Sequence, residues 1–341
     1  MKTLTSILGT ALFSIGIATT ASAQQVKFVK SKTDKKIDVL IGNQLFTSFL
    51  YPDSLEKPVL FPVNAANGTM VTRGFPLIPQ PGDPTDHPHH IGLWFNYESV
   101  NGLDFWNNSY AIPAARKPKY GWIKTIQEPA TKGNTLSYRS NWTNQENDIL
   151  LEEATTLQFS GSNGQRIIDR TTVLTAKTAV LFKDVKDGML GFRMAHALQI
   201  PELKDKEYKD EHGVVTIVKG AVDSIANGNY LTSEGKKGND AWGTRASWCT
   251  LYGKMGNDSV SVTIFDHPKN VNYPTWWHAR GYGLFAANPL GEAVFTNGKS
   301  STNLALKAGD RITFRYRVLI RNGSSTPSAE ELNREAKAFG K

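Results

Sequence analysis

Leu150-Leu151-Glu152-Glu153-Ala154-Thr155-Thr156-Leu157-Gln158-Phe159-Ser160 runs into Gly161-Ser162-Asn163-Gly164 and out again through Arg166-Ile167-Ile168-Asp169-Arg170-Thr171-Thr172-Val173-Leu174-Thr175. Two runs rich in β-branched and apolar residues, joined by four small turn-formers, read as a long antiparallel hairpin. The same rhythm recurs at Lys36 to Leu40 and at Ile312 to Ile320, with Gly, Asn, Asp and Pro clusters between runs. Short strands at such spacing build a sandwich or barrel rather than strand–helix–strand units. The expected fold is all-β, a large antiparallel β-sandwich with one short helix at the C-terminal end. That helix is signalled by Pro327, by Ser328 with Glu331 three residues on as a capping box, and by Leu332, Ala336 and Phe339 at helical spacing. No repeat or Gly-Ser linker divides the chain, so residues 24–341 are expected to form a single domain.

Lys2, the apolar run from Ile7 to Ile17 and Ala21-Ser22-Ala23 before Gln24 follow the order of a signal peptide. Residues 1–23 are therefore expected to be removed near Ala23, leaving the protein in the periplasm of a Gram-negative bacterium or secreted. Gln24 is not the cysteine that a lipoprotein requires. No later stretch approaches the ~20 apolar residues of a spanning helix, so no transmembrane insertion of the mature chain is expected. The net charge of +8 is scattered along the chain, which speaks for a solvated surface and against a nucleic-acid partner. A single cysteine, Cys249, precludes an intramolecular disulfide and reads as a buried thiol. Oligomeric state is not legible.

The richest chemistry lies in Asp86-His87-Pro88-His89-His90-Ile91-Gly92-Leu93-Trp94-Phe95-Asn96-Tyr97, which holds three of the seven histidines. In a strand, Ile91, Leu93, Phe95 and Tyr97 would face a core, and His90, Gly92, Trp94 and Asn96 the other side. An imidazole, a glycine, an indole and an amide suit a sugar ring. Val100-Asn101-Gly102-Leu103-Asp104-Phe105-Trp106 contains the Asn-Gly of a type I′ hairpin. A two-residue loop would set Asp104 and Trp106 on the Tyr97 face, away from His90 and Trp94, whereas a longer loop would let Asp104 reach the histidines. In Trp276-Trp277-His278-Ala279-Arg280, alternation puts Trp276, His278 and Arg280 together, a set fitted to an acidic or polyhydroxylated ligand. Trp242, Arg245 and Trp248 repeat the mixture. Arg193 lies opposite Leu190, Phe192, Met194 and His196, and is the better site candidate. Glycoside chemistry normally needs two converging carboxyl groups, for which Asp86, Asp104, Glu152, Glu153, Asp169 and Asp184 are candidates, with solvated strand positions the plainer account of Glu153. No phosphate loop, dinucleotide fingerprint or serine elbow is present.

Taken in order, Asp86 to His90, Val100 to Trp106, Trp242-Gly243, His267-Pro268, and Trp277 to Arg280 through Asn288-Pro289-Leu290-Gly291 resemble one family of exported bacterial proteins over nearly the whole mature chain. It is abundant in Bacteroidota and carries the label "methane oxygenase PmoA", although the membrane subunit of that name spans the bilayer and this chain has no spanning segment after its leader. The resemblance implies a galactose-mutarotase-like supersandwich, a carbohydrate or sugar-derived ligand, and motif positions at His87, His89, His90, Asn101, Asp104, Trp106, Arg193, Trp242, His267, His278, Arg280 and Asn288. Ile91 departs from the pattern, where a basic residue is expected. Three readings follow. The first is a glycoside hydrolase, lyase or epimerase with His89, His90, Asp104, His278 and Arg280 in the chemistry and Trp94, Asn101, Trp106, Arg193, Trp242, Trp276 and Asn288 on the substrate. The second is a carbohydrate-binding protein without catalysis. The third is a metalloenzyme in which His87, His89 and a distant His267 or His278 ligate a divalent zinc, copper or iron ion.

Overall fold

A computed structural model describes residues 23–202, 205–209, 215–218 and 223–341. The expected signal segment lies outside the described residues, save Ala23. Two antiparallel sheets face one another. One has eight strands, in the order Val26–Lys30, Lys36–Ile41, Gln44–Leu50, Val59–Val63, Leu93–Tyr97, Gly188–Arg193, Leu284–Asn288 and Trp276–Ala279. The other has nine, running Asn229–Thr232, Trp248–Met255, Asp258–Asp266, Arg311–Gly323, Gln165–Ala176, Ile149–Ser162, Thr135–Thr143 and Trp122–Thr125, with Ala130–Lys132 also on Thr135–Thr143. This is the expected all-β sandwich. Among the described residues no helix is long and apolar enough to cross a membrane.

The hairpin that signalled the fold forms as read. Ser162 pairs with Gln165 across a two-residue turn, and Gln165–Ala176 alternates strictly between half-buried and buried positions. That period-two pattern buries Ile168 and Leu174 between the sheets. Facing side chains lock the two layers together: Phe95 meets Phe314 at 5.6 Å and Phe46 meets Phe159 at 6.1 Å between ring centroids. The same alternation carries Arg170 and Glu153 into the core, 2.8 Å apart. There Glu153 also accepts from Tyr138, Thr155 and Trp142. Glu153 is thus a saturated buried partner of Arg170 rather than a solvated strand residue.

The C-terminal helix, Ala329–Phe339, opens with both bonds of the Ser328/Glu331 capping box. It lies on the outer face of the nine-stranded sheet, where Leu332 packs on Trp248, Phe265 and Leu319. Trp248 therefore belongs to this packing and not with Trp242 and Arg245. Cys249 is buried and burial pushes its thiol up, as expected of an inert side chain.

Candidate active site

The outer face of the eight-stranded sheet carries the histidine loop. On strand Leu93–Tyr97, Leu93, Phe95 and Tyr97 enter the core between the sheets, while Trp94 turns outward onto Val59, Phe61, Ile91, Trp106, Leu284 and Ala286. Ile91 precedes the strand and goes with the outer set, contrary to alternation. Gly92 has a positive φ of 58°, and a Cβ there would sit 2.1 Å from the Leu60 carbonyl oxygen. Its freedom serves the neighbouring strand, not a ligand. Gly191 has the matching role beneath the indoles, since a Cβ would come within 2.4 Å of Trp94 and 2.7 Å of Trp106.

Arg73 organises the loop. Its guanidinium is fully buried and donates to the carbonyls of Pro84 (3.1 Å), Asp86 (2.6 Å), His87 (2.9 Å) and His90 (3.1 Å), and to Asp86 Oδ1 (3.0 Å). Arg193 faces the same carboxylate from the sheet, with Nη2 2.8 Å from Asp86 Oδ1 and Nη1 3.4 Å from His90 Nδ1. The second carboxylate oxygen, Oδ2, meets His87 Nδ1. Burial acts to raise the Asp86 pKa, but the His87 hydrogen bond and the two guanidinium groups outweigh it and hold the carboxyl well below its usual range. His87 itself has a φ of 48°, a left-handed conformation uncommon for a residue with a Cβ. A turn closes behind it, with His90 N donating to His87 O at 3.0 Å and Pro88 and His89 at its corner.

Four rings then stack in a column. Tyr282 lies 5.5 Å from His87 at 6°, His87 4.9 Å from His90 at 1°, and His90 5.2 Å from Trp94 at 17°. Burial drives the pKa values of His89 and His90 well below the ordinary imidazole range, reinforced by Lys57 and His87 at His89 and by His89 and Arg193 at His90. Burial thus favours the neutral imidazole at both positions. Lys57, pushed down to about 8 by burial, donates to the His89 carbonyl at 2.8 Å. The column leads from the buried indole to the surface. His90 is 2% exposed and His89 8%, whereas the His87 side chain is 44% exposed. Tyr282, at the outer end of the column, also lines a cavity of about 400 Å³ with Glu202, Asn239, Trp242 and Arg280.

The other sequence candidates divide sharply. Trp106 sits with Trp94 and His90 at 5.1 and 5.9 Å, opposite to the hairpin expectation. Asn101 and Gly102 do form the tight turn, with φ of 51° and 81° and Val100 paired to Leu103. Beyond Leu103 the second strand leaves the ladder, because Asp104 turns its carboxylate onto the N–H groups of Trp106 and Asn107 and the Asn107 amide. That redirects Trp106 across the sheet and leaves Asp104 unbonded to any histidine. Asn101 spends its amide on Ala179 O and Leu181 N, and Asn288 spends its own on Val185 O, Lys186 O and Leu290 N. These two amides hold main chain. Trp276 and His278 share a face as expected, against Phe295 at 5.7 and 6.1 Å. His278 is 2% exposed and 3.2 Å from Asp187. Of the acid candidates only Asp86 is at the histidines: Glu152 pairs with Arg139, Asp169 with Arg317, and Asp184 receives the N–H groups of Ala293 and Thr302. His267 lies against Phe339 of the C-terminal helix, its Nδ1 accepting from Lys269 N. The trio His87, His89 and His267 is therefore not assembled, and among the described residues no three His, Cys, Asp or Glu side chains come together to hold a metal. Arg73, Tyr282, Lys57 and the cavity residues Glu202 and Asn239 were not singled out by sequence. Tyr282, an aromatic between Gly281 and Gly283, was the one with a local signal.

Residues 36–337 match the model of a family described as "Family of unknown function (DUF6807)", and not one bearing the oxygenase label. None of the curated proteins matches the chain. Among solved structures, a GH36 alpha-galactosidase of Geobacillus stearothermophilus is similar over 88% of this chain, at 12% identity and a TM-score of 0.40, and the match spans 41% of that enzyme. A galactose mutarotase-like protein of Clostridium acetobutylicum gives 10% identity and a TM-score of 0.36 over 88% of this chain and 99% of its own. A putative aldose 1-epimerase of Escherichia coli K12 gives 7% and 0.35 over 89% and 100%.

Proposed function

The chain belongs to DUF6807, a family of unknown function, and from the geometry of its site we propose that it is an exported enzyme that acts on carbohydrate by acid–base chemistry at His87. One observation carries the reading: an Asp86–His87 pair, anchored by two buried arginines, stacks on Tyr282, a ring that also lines a cavity with aromatic walls. Asp86 accepts from His87 Nδ1–H and so leaves Nε2 as the proton acceptor, and the ionised carboxylate stabilises the imidazolium once the proton has moved. The stacked rings of Tyr282 and His90 fix the plane of the imidazole. Trp242 and Tyr282 offer faces on which a sugar ring packs, with Asn239 at the cavity wall for hydroxyls. Elimination and epimerisation require removal of a proton from a ring carbon or a hydroxyl, and hydrolysis removal of one from the attacking water; a base at His87 serves either step.

His89 and His90, one or the other of which is expected from sequence to be the acid/base, lie behind His87 and are too buried to touch a substrate; they act as its backing. The test is a glycan screen on the mature protein, with products followed by mass spectrometry. Turnover is expected, and His87→Gln should lower kcat by about 10²- to 10⁴-fold with an unchanged melting temperature. Unaltered turnover in that variant removes His87 from the chemistry, and glycan binding without any product supports the binding-protein reading instead.

A further inference from the structure

Arg280 differs from every other arginine near the site. Arg73 and Arg193 are consumed by Asp86 and the loop carbonyls, and Arg245 is held by the carbonyls of Asn272, Tyr273 and Pro274. Arg280 has an exposed side chain, and its guanidinium has no hydrogen-bond or ion-pair partner among the described residues. It is nevertheless braced, with its guanidinium carbon 5.7 Å from the ring centres of both Trp242 and Tyr282. A guanidinium held between two rings keeps its planar fork of N–H donors pre-oriented, so little side-chain freedom remains to be lost when an anion binds. Arg280 lines the cavity of about 400 Å³ that shares the Tyr282 ring with His87. Gly281 keeps that cavity open, since a Cβ there would stand 3.1 Å from Asn239 Oδ1 and 3.3 Å from Glu202 Oε1.

We infer that the sugar taken by this protein carries an anionic group, a carboxylate or a sulfate ester, and that Arg280 receives it. The inference rests on the site being a carbohydrate site. A carboxylate or sulfate presents paired oxygens to the fork, which a neutral hydroxymethyl group cannot do. Tyr282 is the shared wall: one ring face stacks on His87 and the ring also meets Arg280 and Arg193, the latter at 4.7 Å. The anionic group and the proton that His87 removes therefore lie on the same sugar or on adjacent ones.

The experiment titrates the full mature chain with D-glucuronate, D-galacturonate and glucose 6-sulfate, against D-glucose and D-galactose as neutral matches, each as the free sugar and as short oligosaccharides, by calorimetry and NMR. At least one acidic sugar is expected to bind about tenfold or more tighter than its neutral match. Arg280→Gln should abolish the difference, and Arg280→Lys should restore part of it, because charge returns without the fork. The uronate and sulfate arms tell the two anions apart. Equal affinity for acidic and neutral sugars, discrimination that survives Arg280→Gln, or no binding of any acidic sugar overturns the inference. Arg280-dependent binding of an acid with no glycan ever altered would sink the acid–base reading of His87 while leaving this one standing. Turnover of neutral glycans that is indifferent to Arg280 would do the reverse.

Discussion

At the scale of single residues, the site depends most on a side chain that never meets solvent. Arg73 holds four loop carbonyls and one carboxylate oxygen. Replacing it strips the loop carbonyls of this donor and leaves Asp86 with Arg193 as its one guanidinium partner, so Arg73→Met should cost about 3–5 kcal/mol in urea unfolding and should release the histidine loop to proteolysis. Gly191→Ala tests the floor of the site. Its methyl would press on Trp94 and Trp106, and a loss of about 1–3 kcal/mol with an altered near-ultraviolet circular dichroism spectrum is expected. How far these residues were legible depended on distance in sequence. The histidine loop and the Trp276/His278/Arg280 set announce themselves because their members are neighbours along the chain. Arg73 does not, because its partners lie from 11 to 17 residues on, at Pro84 to His90. Asn101 and Asn288 misled for the opposite reason. A polar side chain in a motif reads as available until the main-chain groups it serves, up to about a hundred residues away, are known.

At the scale of elements, local rules succeeded where a single turn or cap decides the outcome. The capping box of the C-terminal helix and the Asn101-Gly102 turn both formed as read. Ser328→Ala should therefore lower stability by about 1 kcal/mol, seen as earlier thermal loss of the helix signal. Elsewhere the rule held for the turn and failed for the strand. The period-two extrapolation from Asn101-Gly102 assumed a ladder that Asp104 interrupts, and so set Trp106 on the wrong face. The Glu153 reading failed likewise, because alternation tells which residues share a face but not which face is covered, and the facing sheet decides that.

At the scale of the whole molecule, the sandwich was legible because strand rhythm and turn chemistry survive in any register, whereas the pairing of strands distant in sequence was not. The strands that carry the site, Leu93–Tyr97, Gly188–Arg193, Leu284–Asn288 and Trp276–Ala279, are neighbours only in space. Its buried ionisable groups make stability depend on pH. Burial lowers the pKa values of His89, His90 and His278 in the folded state. Their contribution is intact above the unfolded imidazole value of about 6.5 and is lost as pH falls below it. Asp266 and Glu98 oppose this, since burial raises each to about 7 and the folded state then holds a proton that the unfolded chain releases. The histidine share is isolated by difference. The stability of wild type relative to His90→Asn should fall as pH drops from about 6.5 to about 5 in urea titrations, and a difference independent of pH would show His90 to bind its proton equally in the folded and unfolded states. The strand order has a further, kinetic consequence during synthesis. Leu93–Tyr97 leaves the ribosome roughly a hundred residues before its partner strand Gly188–Arg193 exists, a wait of about 5–20 s at ordinary elongation rates. Until then its edge toward Gly188–Arg193 has no cover, so the segment that becomes the floor of the site is exposed in the nascent chain and is one that a chaperone would shield.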